Sequence, residues 1–211
     1  MIRFIMSAVT AATLVAGNAL AQTGLDPNGQ CVGDANGDAE VRVNELITAV
    51  NNSLNGCPRR AIEIAFVAAV GAEDFTCGGV YEGIGAAAST LRLTDFRFYV
   101  SNVRLLTGGG DEVPLQLDDD GIWQRDGVAL LDFEDGSNGC AFGNALMNTT
   151  VRGTAPAGVY TGVRFDMGVP FELNHGNAEL ETEPLNVTAM FWNWNGGYKF
   201  IRVDGFAGPI D

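Results

Sequence analysis

Two tryptophans one residue apart, Trp192 and Trp194 in "FWNWNGGYKF", are the residues of this chain best suited to give up electrons. Indole is among the more readily oxidised side chains. Ring opening to kynurenine would leave an aromatic amine and a ketone, supplying donor atoms where indole has none. His175, in "GVPFELNH", is the single histidine of the sequence. A lone loop histidine is by itself more often a hydrogen-bonding residue than a ligand, although imidazole is a good copper ligand. Met167 and Met190 could lend thioethers to Cu(I), although methionines more often fill gaps in a core. Paired aromatics on a strand face are usually packing as well, and Trp123, in "DGIWQRDG", reads that way. If "TAMFWNWN" is a strand, Met190, Trp192 and Trp194 share one face. The two tryptophan backbones then lie roughly 6.6 Å apart, two steps of the strand rise.

A second chemistry sits near the amino terminus, in "CVGDANGDAEVRVNELITAVNNSLNGC", residues 31–57. Counted as a twelve-residue calcium loop, Asp34, Asn36 and Asp38 occupy the first, third and fifth positions. Glu40 offers a carbonyl at the seventh, Val41 is the apolar eighth residue, and Glu45 is the bidentate carboxylate at the twelfth. The sixth position, where glycine usually provides a left-handed turn, is Ala39. Beyond the loop, Leu46, Ile47, Val50 and Leu54 mark one face of a helix that Gly56 stops. The unit resembles a single EF-hand or dockerin-type repeat. Cys31 and Cys57 flank it, and a Cys31–Cys57 disulfide would close a loop worth about 3 kcal/mol. A metal-free, Asx-rich turn capping a helix is the plainer alternative.

These residues must be positioned by the rest of the chain. Residues 1–21 read as a cleaved export signal: a basic start, an apolar stretch and the small-x-small site Ala19-Leu20-Ala21. That implies a periplasmic or extracellular protein, in which disulfides form. No later run approaches the ~18 apolar residues of a membrane helix. The formal net charge is −14, and removing the signal takes away Arg3 and makes it more negative still. Such a field repels phosphate backbones and argues strongly against nucleic-acid binding. Catalysis by the chain itself is also disfavoured, because G-x-S-x-G and H-E-x-x-H are missing and no second histidine could act as a base. Asp118, Asp119 and Asp120 read as a solvated turn.

Residues 22–60 form the calcium-loop segment and linker, and from residue 61 onward the pattern is β. Short apolar runs such as "TLRLTDFRFYVSNVRLL" and "VALLDF" alternate with turns such as "TGGGDEVP" and "EDGSNG". The expected fold is mainly β: an antiparallel β-sandwich behind a small disulfide-stapled EF-hand-like unit, with a barrel as the alternative.

Several strings in order, "LTDFRFYVSNVRLL", "GVALLDFEDGSNGC", "YTGVRFDMGVPFELNH" and "PLNVTAMFWNWNGGYKFIRVDG", resemble the MbnP-like periplasmic copper-binding proteins over about residues 62–205. The resemblance implies a di-haem partner of the MbnH/MauG type that oxidises a W-x-W tryptophan to kynurenine. The product then joins histidine in binding copper. Carried onto this chain, the ligands are His175 and either Trp192 or Trp194, and Cys77 and Cys140 are the first two family cysteines, expected to pair. The resemblance also implies a further histidine and two more cysteines after "GYKFIRVDG", where this sequence reads only "FAGPID". The carboxyl-terminal part of the family domain is therefore expected to be missing. The competing reading is a calcium-dependent extracellular interaction module with no copper function.

Overall fold

The computed structural model describes residues 41–55, 58–137, 139–140, 143 and 145–208. The export signal, the Cys31–Cys57 pairing and the calcium-loop residues Asp34, Asn36, Asp38 and Glu40 lie outside the described residues.

The first described element is helix α1, Val43–Asn55. Strands follow as β1 Arg59–Ala65, β2 Ala69–Val70, β3 Glu73–Asp74, β4 Val80–Ile84 and β5 Ser89–Thr107. Next come β6 Glu112–Pro114, β7 Gln116–Leu117, β8 Gln124–Arg125, β9 Val128–Asp132, β10 Thr150–Pro156 and β11 Tyr160–Met167. A short helix, α2 Phe171–Asn174, and a 3₁₀ turn, Thr188–Met190, precede β12 Phe191–Asn193, β13 Gly197–Tyr198 and β14 Ile201–Ala207. The expected mainly β, antiparallel character is what the chain adopts. Among the described residues no helix is long and apolar enough to cross a membrane.

The spine is β5. One of its edges pairs antiparallel with β14 and then β11, and the other with β4, β9 and β6 in turn. A second sheet runs β1-β10-β7. Alternation along the spine sorts its side chains. Phe96, Phe98 and Val100 join Phe66, Leu131, Phe133 and Val151 in the main apolar cluster. Phe96 and Phe133 stack at 5.1 Å, and Phe66 meets Phe98 edge-on at 6.1 Å.

The opposite face of the spine is buried too, which an ordinary amphipathic strand would not require. There Tyr99 packs with Leu130, Val169, Leu185, Met190 and Tyr198, beneath the segment joining β11 to β14. Asp95 and Arg97, each 3 % exposed, belong to the same alternation set. Two hydrogen bonds join the Arg97 guanidinium to Asp95 (Nε to Oδ1 at 2.9 Å), and Asp132 lies 3.9 Å from Arg97. Arg202 on β14 reaches Asp95 at 3.2 Å and Asp204 at 2.6 Å.

Burial pushes the Asp132 carboxyl up to about 7, against the pull of Arg97, and raises Glu134 in the same direction. Between roughly pH 4 and 7 the folded chain therefore holds a proton that the unfolded chain has released. Stability is fullest below that window and falls as pH rises through it. The melting temperature should drop by roughly 5 °C from pH 5 to pH 8, a loss of about 2 kcal/mol in a chain of this size. Asp132→Asn should flatten the profile, as thermal melts across that range would show.

Cys77 and Cys140 are bonded, with Cα atoms 5.5 Å apart and a sequence separation of 63, as the resemblance implied. In the chain-entropy account a closure of that length stabilises by about 4 kcal/mol. The expected acidic run at 118–120 is more ordered than a solvated turn. Asp120 Oδ1 accepts the backbone N–H groups of Ile122, Trp123 and Gln124 at 2.7–2.9 Å, fixing the turn into β8. Trp123 packs against the Tyr99 cluster, as expected.

Candidate metal centre

The excursion carrying His175, Trp192 and Trp194 leaves and rejoins the sheet at one residue. Gly168 donates its N–H to the Tyr99 carbonyl, and the Tyr99 N–H donates to Phe200 O, both at 2.9 Å. Gly168 sits at φ +131°, and the Phe200 ring lies 2.6 Å from where a Cβ would stand. Gly168→Ala meets both a strained backbone and a ring, so it is expected to cost about 2–3 kcal/mol. A chemical-denaturation midpoint checks it.

Buried phenols hold the excursion down. Tyr99 donates its hydroxyl to Pro184 O at 2.9 Å and Tyr198 to Leu185 O at 2.6 Å, with the two rings edge-to-face at 5.7 Å. Burial raises both phenols, Tyr198 to about 12, so both remain neutral donors at ordinary pH.

The tryptophans do not lie on a long strand. "TAM" winds into the 3₁₀ turn, and only Phe191–Asn193 is extended. Asn193 Oδ1 then accepts the N–H groups of Asn195 and Gly196, and Gly197 at φ +75° turns the chain back, so that Phe191 pairs with Tyr198. Met190 consequently points inward at 0 % exposure while Trp192 and Trp194 are 69 % and 74 % exposed. The expectation that all three share a face is corrected: the extended run is too short to impose alternation. The packing alternative fails for both indoles, and Met190 is a core residue. Met167, expected more often as core filler, is 39 % exposed.

The structure brings His175 to the tip of this hairpin. It follows α2, and its Nδ1 lies 3.0 Å from the Trp194 carbonyl oxygen. A carbonyl can only accept, so in this contact Nδ1 carries the hydrogen. That leaves the lone pair on Nε2, the arrangement that orients a metal-ligating imidazole. Phe171 meets the His175 ring edge-on at 5.5 Å. Asn174 Oδ1 accepts the Tyr198 N–H at 2.9 Å and tethers α2 to the hairpin.

Two contributors were missed from sequence. Lys199 Nζ stands 4.5 Å above the Trp192 ring and donates to Ala189 O at 2.9 Å, and Asn174 supplies the tether. Reading "NWNGGYK" as a hairpin turn would have placed Lys199 across from the first tryptophan.

At the amino-terminal end, Glu45 is 3 % exposed. Its Oε2 accepts the Arg42 N–H at 2.8 Å, and its Oε1 is buried without a hydrogen-bond partner.

No curated protein matches this chain. Among solved structures it is similar to MbnP from Methylosinus trichosporium, with 30 % identity and a TM-score of 0.61. That match covers 71 % of this chain but 55 % of the other, so the chain spans about half the length of that relative. The MbnP family profile matches residues 59–209, which take in the β-sheets, the Cys77–Cys140 bond and the whole tryptophan hairpin, and on that match the chain belongs to the MbnP family.

Proposed function

We propose that this is an exported copper-binding protein in which a W-x-W tryptophan, Trp192 or Trp194, is converted to kynurenine by a di-haem MauG-like peroxidase. The observation that carries the reading is the hairpin tip, where both indoles are exposed on a tightly held turn and His175 is hydrogen-bonded to the backbone between them and Asn195. An indole that must meet another protein's oxidant has to be accessible, and a ligand that must form afterwards has to lie beside the imidazole. The exposure of both indoles supports the first requirement, and the bond from His175 to the Trp194 backbone supports the second.

The donor set fits copper. His175 would offer Nε2, and the modified tryptophan its new aromatic amine or ketone. Bound copper would supply a redox-active cation at the surface. The chain's own part is to present the indoles, to fix the His175 tautomer through the Trp194 carbonyl, and to hold the hairpin still through Asn174 and the buried tyrosines.

The test is to incubate the full chain with a MauG-like di-haem enzyme and hydrogen peroxide and to map the peptide carrying Trp192 and Trp194 by mass spectrometry. Oxygen-addition or kynurenine masses, with copper retained on gel filtration only after treatment, are the expected result. An unmodified peptide under conditions that turn the haem enzyme over would overturn the proposal.

Glu45 supports a second, compatible assignment. A buried carboxylate oxygen with no partner, at the position of the bidentate ligand, suits a calcium ion shared with Asp34, Asn36, Asp38 and the Glu40 carbonyl. If calcium raises the melting temperature and copper has no effect even after oxidation, the chain is instead a calcium-dependent interaction module.

A further inference from the structure

Glu134 is aimed at a disulfide, with only the approach of the Gly136 N–H and the charge of Arg97 to favour its ionised form. It is 1 % exposed, and neither carboxylate oxygen has a hydrogen-bond partner. A carboxylate oxygen of Glu134 and the sulfurs of Cys77 and Cys140 all lie within 4.8 Å of one another, the two cysteines being 9 % and 0 % exposed. The turn after β9 builds this arrangement. Asp132 Oδ1 accepts the Glu134 N–H at 3.0 Å, the Asp135 N–H approaches Cys77 Sγ at 3.4 Å, and the Cys140 N–H donates to Ser137 O at 2.9 Å. Gly143 closes the pocket, since a side chain there would occupy the space of the Glu134 carboxylate.

A buried carboxyl without partners is unfavourable, and native proteins keep few without a use. While the disulfide is closed, its sulfurs have no hydrogen to give, and burial shifts the acid toward its neutral form. Opening the disulfide changes the chemistry of the same small volume, placing two thiols and a carboxyl around one point.

We propose that Cys77, Cys140 and Glu134 form a latent divalent-metal site of the zinc class, closed as the disulfide and opened by a dithiol reductant. The dithiol passes two electrons and two protons to the S–S bond. That bond breaks, two thiols form, and the reductant leaves as its own disulfide. Metal binding then releases both thiol protons, and any proton the carboxyl carries, to solvent. Zn–S bonds of about 2.3 Å set two sulfurs on one tetrahedral ion roughly 3.8 Å apart. Cysteines with Cα atoms 5.5 Å apart reach that separation by side-chain rotation. Three protein donors leave the fourth position to water.

The experiment uses the full chain carrying Cys31→Ser and Cys57→Ser, so that Cys77 and Cys140 are its only thiols. After reduction by immobilised dithiol without oxygen, Co²⁺ is titrated as the optical probe and Zn²⁺ as its competitor. One equivalent of Co²⁺ should give thiolate-to-metal charge-transfer absorption that Zn²⁺ bleaches. Zn²⁺ should raise the melting temperature of the reduced chain and leave the oxidised chain unchanged. Glu134→Ala should keep the absorption but weaken Co²⁺ binding at least ~10-fold. Equal affinity in Glu134→Ala overturns the proposal, as does a reduced chain without charge transfer. So does a reduced chain that loses its near-ultraviolet dichroism and does not regain it with Zn²⁺.

Discussion

Arg97→Met should leave the protein unfolded or insoluble at pH 7.5 and largely folded at pH 5. The guanidinium compensates Asp95 through two hydrogen bonds and faces Asp132 at 3.9 Å. All three side chains, and Glu134 beside them, are at most 3 % exposed. Methionine fills similar space but leaves the carboxylates with Arg202 as the remaining cation in contact. Removing one partner of a buried pair costs about 3–5 kcal/mol, a large share of the 5–15 kcal/mol by which domains are ordinarily stable.

Acid should rescue the variant, because protonation removes the uncompensated charge. Burial already raises Asp132 to about 7 and Glu134 in the same direction, so the remedy works in the mildly acidic range and not only at extreme pH. Circular-dichroism melts at the two pH values decide the matter. A variant with the parental melting temperature at pH 7.5 would show that the network contributes nothing.

The second large effect concerns the hairpin tip. Trp192→Phe combined with Trp194→Phe should fold normally and lose the treated protein's copper retention, with affinity falling by ~100-fold or more. Both side chains are mostly exposed, and surface substitutions usually move stability by no more than about 0.5 kcal/mol. The ligand created by oxidation would be absent, leaving His175 as the sole proposed donor of this segment. Each single variant then identifies the modified indole, since only one should abolish the product mass. Copper retained undiminished by the double variant after enzyme treatment would mean the indoles are not the source of the ligand.

Sequence reading reached the scaffold further than the site. Alternating apolar runs and glycine-rich turns announced an antiparallel β protein, and the ordered motifs announced the family and the Cys77–Cys140 bond. The tryptophan strand was misread because "TAMFWNWN" has strand composition, whereas its conformation is set by neighbours. The Asn193 side chain caps the turn, Gly197 takes a left-handed φ, and Met190 is drawn inward by Tyr99 and Tyr198.

The buried charges in "TDFRF" were in plain view but carried no message until the opposite face of β5 proved to be covered. On a half-exposed strand, Asp95 and Arg97 would have been ordinary solvent-facing residues. Coverage by the segment between β11 and β14 is a long-range fact, and local periodicity does not encode it.

That segment departs from Gly168 and returns at Phe200, with both points bonded to Tyr99. Its two anchors on the sheet thus meet at one residue, whatever its length. Chain can be added or removed between those two anchors without shifting strand register, provided Val169, Leu185, Met190 and Tyr198 still roof the tyrosine. The protein therefore has a natural grafting point, where a different ligand-bearing loop could be installed on an unaltered frame.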